Sequence, residues 1–185
     1  MHELNNNWTL WLHLPHDVDW TIASYKKVYS FDNLENCITL IENINKEIVE
    51  KCMLFIMKNN IKPIWEDSHN NKGGSLSYKI VIENVYHVWK ILTYSLIGQS
   101  ITDNKDLLNS INGISISPKK NFCIIKFWLS NTDTFSKDDI QKLVDISYNN
   151  YTIENSSDTF DPLNIHKLCN IDKQLCIFKK HEILY

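Results

Sequence analysis

Arginine is absent from this chain of 185 residues, and all 19 basic residues are lysines. No planar guanidinium fork is available for bidentate binding of phosphate or carboxylate, so any anion must be met by ammonium point charges. A basic balance is missing as well. The formal charge of −3 excludes a protein that coats nucleic acid through its phosphates and leaves room only for a local contact. The chain has no apolar run of membrane-spanning length, and its start, M-H-E-L-N-N-N, lacks the basic and apolar regions of a signal peptide. The five cysteines form no C-x-x-C pair, and their odd number fits a reducing compartment. A cytoplasmic location is the expectation, with the sequons at Asn7, Asn150 and Asn155 as chance products of an Asn-rich chain. Enzyme templates are missing too: there is no G-x-S-x-G, no P-loop and no H-E-x-x-H, so neither catalysis nor a metal or cofactor is expected.

What is present is globular. Hydrophobic residues make up 43% and charged residues 22%, and the length suits a single domain over 1–185. The pattern predicts strands at Trp8 to Leu14, Tyr25 to Phe31, Cys52 to Met57, Leu76 to Ile82, Gly113 to Ser117, Phe122 to Leu129 and Gln174 to Lys179. The strand from Gly113 and the strand from Phe122 form a hairpin across P-K-K-N, with Lys119 and Lys120 at its tip. Helices are predicted from an N-cap at Asp32 through about Ile44, over Glu83 to Ile97, and from a capping box at Ser136 and Asp139 with Ile140, Leu143, Val144 and Ile146 buried. A variable connection is expected after Ile44, a polar loop after Gly98, and a polar, turn-rich stretch over 154–172. Strands outnumber helices in a mixed order, so the class is α+β: a curved, mostly antiparallel sheet with about three helices on its convex face.

Two tryptophans stand apart from this core pattern. Trp20 follows P-H-D-V-D, and Trp65 sits in I-K-P-I-W-E-D-S-H-N-N-K-G-G, whose neighbours favour a solvent-facing loop. A Trp in such a loop most often caps a hydrophobic edge. Likewise Asp17 with Asp19, and Glu66 with Asp67, read first as solvated acids, and His13 and His16 as solvated loop histidines. Together, however, two loop indoles, an adjacent carboxylate and separate lysines suit one ligand type, a cationic aromatic base carrying phosphates. Indoles stack on any base and gain a cation–π contribution from a cationic one. A carboxylate accepts the two adjacent N–H donors of a guanine edge, and lysines take the phosphates.

These residues resemble the eukaryotic translation initiation factor 4E family, the messenger-RNA cap-binding proteins. The resemblance is carried by H-E-L-N-N-N-W-T-L-W, F-D-N-L-E, I-K-P-I-W-E-D with N-N-K-G-G, W-K-I-L-T-Y-S-L-I-G-Q and K-F-W, and all six tryptophans fall where the family has tryptophan. It implies that Trp20 and Trp65 stack on 7-methylguanine, that Glu66 accepts its N1 and N2 hydrogens, and that Trp128 touches the N7-methyl group. Trp8, Trp11 and Trp89 correspond to structural tryptophans. It also implies a monomeric binder of capped mRNA rather than an enzyme, with a scaffold initiation factor or a 4E-binding protein helix as a further partner.

The chain departs from the family at two places. Where the family usually has Asn, Arg and Lys at the late hairpin, it has Ser117, Lys119 and Ile124, so Lys119 and Lys126, with Lys120 as an alternate, are expected to take the cap phosphates. On the dorsal face, the family's partner-binding Trp is replaced by Ile38, while His2, Leu4, Leu34 and Glu35 match. Lys90, Ile91 and Tyr94 stand where the family has a leucine, a glutamate and a leucine. The resemblance therefore leaves open a cap-binding initiation factor, a cap-binding competitor with altered scaffold binding, and a 4E-like interaction module with weak cap affinity.

Overall fold

Period-two alternation of burial along a strand separates the two faces of a sheet. The computed structural model describes residues 1–136, 139, 140, 143 and 176–181. Its strands are β1 (Glu3–His13), β2 (Lys26–Asn33), β3 (Met53–Lys58), β4 (Gly74–Val81), β5 (Ile111–Pro118), β6 (Phe122–Leu129) and β7 (Cys176–Lys180). They form one sheet in the order β2-β1-β3-β5-β6-β4-β7, and every pairing is antiparallel. Its helices are α1 (Leu34–Asn43), α2 (Lys46–Lys51), α3 (Val85–Ile97) and α4 (Lys105–Ser110). The α+β class with a curved antiparallel sheet is as expected.

One face of the sheet builds the main core. Leu76, Tyr78 and Ile80 of β4, Cys123, Ile125 and Phe127 of β6, and Ile114 and Ile116 of β5 are buried there with Cys37 and Ile41 of α1 and Val88, Trp89 and Leu92 of α3. Trp89 is 1% exposed, and its truncation to alanine would cost about 3–5 kcal/mol. Among the described residues, the opposite face carries a smaller buried cluster of Phe55, Met57, Ile61 and Trp128, with Trp11 packed against it. That face is left open for the site. Gly113 makes the close approach of β5 to β3 possible, because a Cβ there would lie 2.4 Å from the Ile56 carbonyl oxygen. Gly73 likewise lets the Trp65 loop rejoin the sheet, since a Cβ would collide with the Leu129 carbonyl.

Several boundaries differ from the sequence expectation, each for a local reason. The cap of α1 is Asn33 rather than Asp32, its side chain accepting from the backbone N–H of Asn36 at 2.9 Å. The connection after Ile44 holds α2, capped by Asn45, and the polar loop after Gly98 holds α4, capped by Asn104. Each is only six residues long, too short for a full apolar stripe. The described helices therefore number four rather than three, before the start at Ser136 is counted. The first strand begins at Glu3 and ends at His13, β4 begins at Gly74, and β7 begins at Cys176. The capping box at Ser136 is present: the Asp139 N–H donates to Ser136 Oγ at 3.1 Å, and the Ser136 N–H to Asp139 Oδ2 at 3.2 Å. Ile140 and Leu143 are buried. Val144, Ile146, the 154–172 stretch and Gln174 lie outside the described residues. No described helix is long and apolar enough to cross a membrane.

Candidate functional site

A cavity of about 640 Å³ opens on the face away from the helices, within the size range of small-molecule sites. Trp20, Trp65, Glu66 and Trp128 all line it. So do Ser117, Lys119 and Lys126. Lys120 is exposed at the hairpin turn and does not line it. The chain thus brings together residues more than a hundred positions apart, from two loops and the β5–β6 hairpin.

The loops that carry the indoles are tied internally. Asp17 accepts from the N–H of Asp19 at 2.9 Å, and Asp19 accepts from the N–H of Thr21 at 2.8 Å and from its hydroxyl at 3.0 Å. Those bonds hold the Asp19 carboxyl below its usual pKa, the backbone bond from Thr21 being the largest cause. The acids expected to be merely solvated therefore shape the turn that presents Trp20, which is 56% exposed. In the second loop Asp67 accepts from the N–H groups of Lys62 and His69. Burial opposes its charge, but these bonds outweigh it and keep the carboxyl pKa low. Asn70 is fully buried, donates to the carbonyls of Lys62 and Ile64, and accepts from Asn112 at 3.0 Å. Trp65 is left 40% exposed at the rim.

A histidine stacks on each of these indoles. His13 lies 4.5 Å from Trp20 with the rings 5° from parallel, and its Nε2 donates to the Asp19 carbonyl. This corrects the expectation of a solvated His13: it closes β1 on the open face and is completely buried. His16 is exposed, as expected. His181 lies 5.1 Å from Trp65 at 17° and donates from Nδ1 to the Asn70 carbonyl. Stacking uses one face of each indole and leaves each a second. Trp128 is nearly buried, with Nε1 donating to Ser115 Oγ at 3.0 Å.

The other end of the cavity is cationic. Lys126 Nζ lies 5.6 Å from the Trp65 ring and 5.8 Å from Trp128, and Lys179 Nζ lies 5.5 Å from Trp65. Burial, then the charges of Lys179 and Lys119, lower the Lys126 pKa. A bound polyanion would relieve that repulsion. Tyr25, another lining residue, has its hydroxyl pushed up to about 12 by burial and by the charge of Glu66. Lys179 and Tyr25 were not foreseen from sequence. Lys179 stands opposite Ser75 on β4, itself opposite Trp128, a neighbourhood set by the long-range pairing of β7 with β4.

On the helical side, His2 is bound to Glu35 through its backbone N–H and its ring, which holds the Glu35 carboxyl down to about 2. Leu34 and Ile38 are exposed, whereas Leu4 and Ile91 pack partly into the core. Lys90 and Tyr94 both bond to Glu42, linking α3 to α1.

The family model for eukaryotic initiation factor 4E matches residues 3–180. The chain belongs to that family. A 4E factor from Candida glabrata is 30% identical over 139 residues, covering 71% of this chain and 65% of its own length, so this family member spans under two thirds of that relative. Among solved structures, Ascaris suum eIF4E-3 with m7G cap superposes with a TM-score of 0.73 at 21% identity, covering 99% of this chain and 93% of its own. Caenorhabditis elegans eIF4E-3, solved with the 4E-binding protein Mextli and a cap analog, gives 0.72 at 19% identity over 97% and 92%. These two likenesses establish the 4E fold of this chain.

Proposed function

We propose that this chain is a single-domain, non-enzymatic cap-binding protein over 1–185 that takes the 7-methylguanosine 5′ cap of mRNA and recruits capped mRNA for translation initiation in the cytoplasm. The observation that carries this reading is the convergence of Trp20, Trp65, Glu66 and a lysine group on one cavity of a 4E-family fold. In it the methylated, cationic base stacks between the two indoles, which favour it over the uncharged base. Glu66 accepts from the guanine N1 and N2 hydrogens, and Trp128 meets the methyl group. Lys119 and Lys126 take the phosphates beside Ser117, joined by Lys179. Tryptophan-fluorescence titration with 7-methylguanosine triphosphate against guanosine triphosphate tests it. Quenching with a preference of tenfold or more, about 1.4 kcal/mol, is expected; no quenching, or equal quenching by both, rejects it.

A second reading, that of a cap-binding competitor with altered scaffold binding, is favoured by one region. Ile38 offers a small exposed aliphatic surface, and the Glu42–Lys90–Tyr94 bonds occupy polar groups of the two dorsal helices. An aromatic anchor is the kind of residue that usually carries binding of an amphipathic helix. A pull-down with a peptide bearing the Y-x-x-x-x-L-Φ helix decides between the two: micromolar or tighter binding supports an initiation factor, and no binding supports the competitor.

A further inference from the structure

We propose that the open face continues past the cap cavity as a track for the first nucleotides of the RNA body, with Phe122 as a stacking platform for a base and Lys79 as the partner of the following phosphate. This rests on the cap reading above. The register places the residues in one row: on β6 and β4, Trp128 stands opposite Ser75, Lys126 opposite Ser77, Ile124 opposite Lys79, and Phe122 opposite Val81. The intervening Cys123, Ile125 and Phe127 are all buried in the core, so alternation puts Phe122 on the cavity side. The side chains agree, since Lys79 Nζ lies 4.5 Å from the centre of the Phe122 ring. Lys79 is exposed, Phe122 is half-buried, and Val81 beside them is 42% exposed.

The cavity itself reaches Ile124, Ser117 and Lys119. From Lys126 to Phe122 the strand runs roughly a further 13 Å at the usual rise. Over that distance the face repeats the pairing of ammonium and flat ring found at Lys126 and Trp65. A strand of alternating phosphates and bases fits such a face, because base–aromatic stacking tolerates any sequence and lysines follow the backbone. An added peptide strand does not fit over Phe122 itself: β6 is paired on both sides, with β4 and with β5, and offers no free backbone edge. Lys79, Lys119, Lys126 and Lys179 also concentrate positive charge here in a chain of net charge −3.

The test compares affinities of the full chain for 7-methylguanosine triphosphate and for a capped RNA of four further nucleotides. Capped RNA should bind the wild type about fivefold or more tightly than the triphosphate, the gain expected of one stacked base. Phe122→Leu should abolish that gain and leave triphosphate binding unchanged, while Phe122→Tyr should retain it. Lys79→Ala, at an exposed position that does not threaten folding, should lower the salt slope for capped RNA by about 0.7 and leave that for the triphosphate unchanged. Equal affinity of the wild type for both ligands, or Phe122 and Lys79 variants that keep the full gain, overturns the track and leaves the cap reading intact. Failure of the wild type to bind the triphosphate overturns both.

Discussion

The two ends of the cavity are built differently. At the base end Trp20 and Trp65 are each stacked by a buried histidine, in loops knitted by Asp19, Asp67 and Asn70. At the phosphate end Lys119, Lys126 and Lys179 have no ion-pair partner among the described residues, and two of them rest over indole rings. Fixed rings suit recognition of one base shape, whereas long ammonium stems adjust to a flexible polyanion. The base end should therefore set what is bound, and the phosphate end how tightly.

The sharpest way to break this contrast is to remove an indole. Trp65→Ala or Trp20→Ala should lower affinity for 7-methylguanosine triphosphate by about 2–4 kcal/mol, combining a stacked base with a cation–π contact. Calorimetric titration checks it, and a loss below about threefold for either variant would mean that no clamp forms. The next effect lies at the other end. Lys126→Ala or Lys179→Ala should each cost about 1–3 kcal/mol against the triphosphate, the range for hydrogen bonds to charged groups. Neither should change affinity for the nucleoside 7-methylguanosine, which has no phosphate. A triple alanine variant at Lys119, Lys126 and Lys179 that still bound the triphosphate like the wild type would reassign the phosphates elsewhere.

The base end was also the more legible part of the sequence. Trp65 and Glu66 announce themselves through contiguous turn formers, and the weak apolar alternation of β4 foretells a buried and an open face, whereas β6 reads as a continuous apolar strand. Helices α2 and α4 escaped notice because six residues hold too little periodicity, although Asn45 and Asn104 each cap through a side chain. Lys179 and His181 were hidden for another reason. Their roles come from a long-range pairing that seats β7 beside β4, so that Lys179 meets Ser75 and the His181 N–H bonds the Gly73 carbonyl. No local pattern encodes that neighbourhood. His13 was expected to be solvated because Pro15 just beyond it marks a turn, although it falls inside the strand expected from Trp8 to Leu14; its ring is instead buried against Trp20.

The smallest effect connects the two ends. Burial, together with the charges of Lys126 and Lys179, lowers the His181 pKa below the ordinary 6.5, against a raising bond to the Asn70 carbonyl. A depressed folded value means that the unfolded chain takes up the proton first. The contribution is complete above about pH 6.5, the unfolded value, and is lost as pH falls through the folded one. The wild type should accordingly lose melting temperature between pH 7 and pH 5.5 more steeply than His181→Gln, measured side by side. A triphosphate on Lys126 and Lys179 would neutralise the charges that lower this pKa. Saturating 7-methylguanosine triphosphate should then flatten the wild-type slope toward that of the variant. Equal slopes with and without ligand would show that the phosphates do not reach the lysines beside Trp65, and the two ends would be independent.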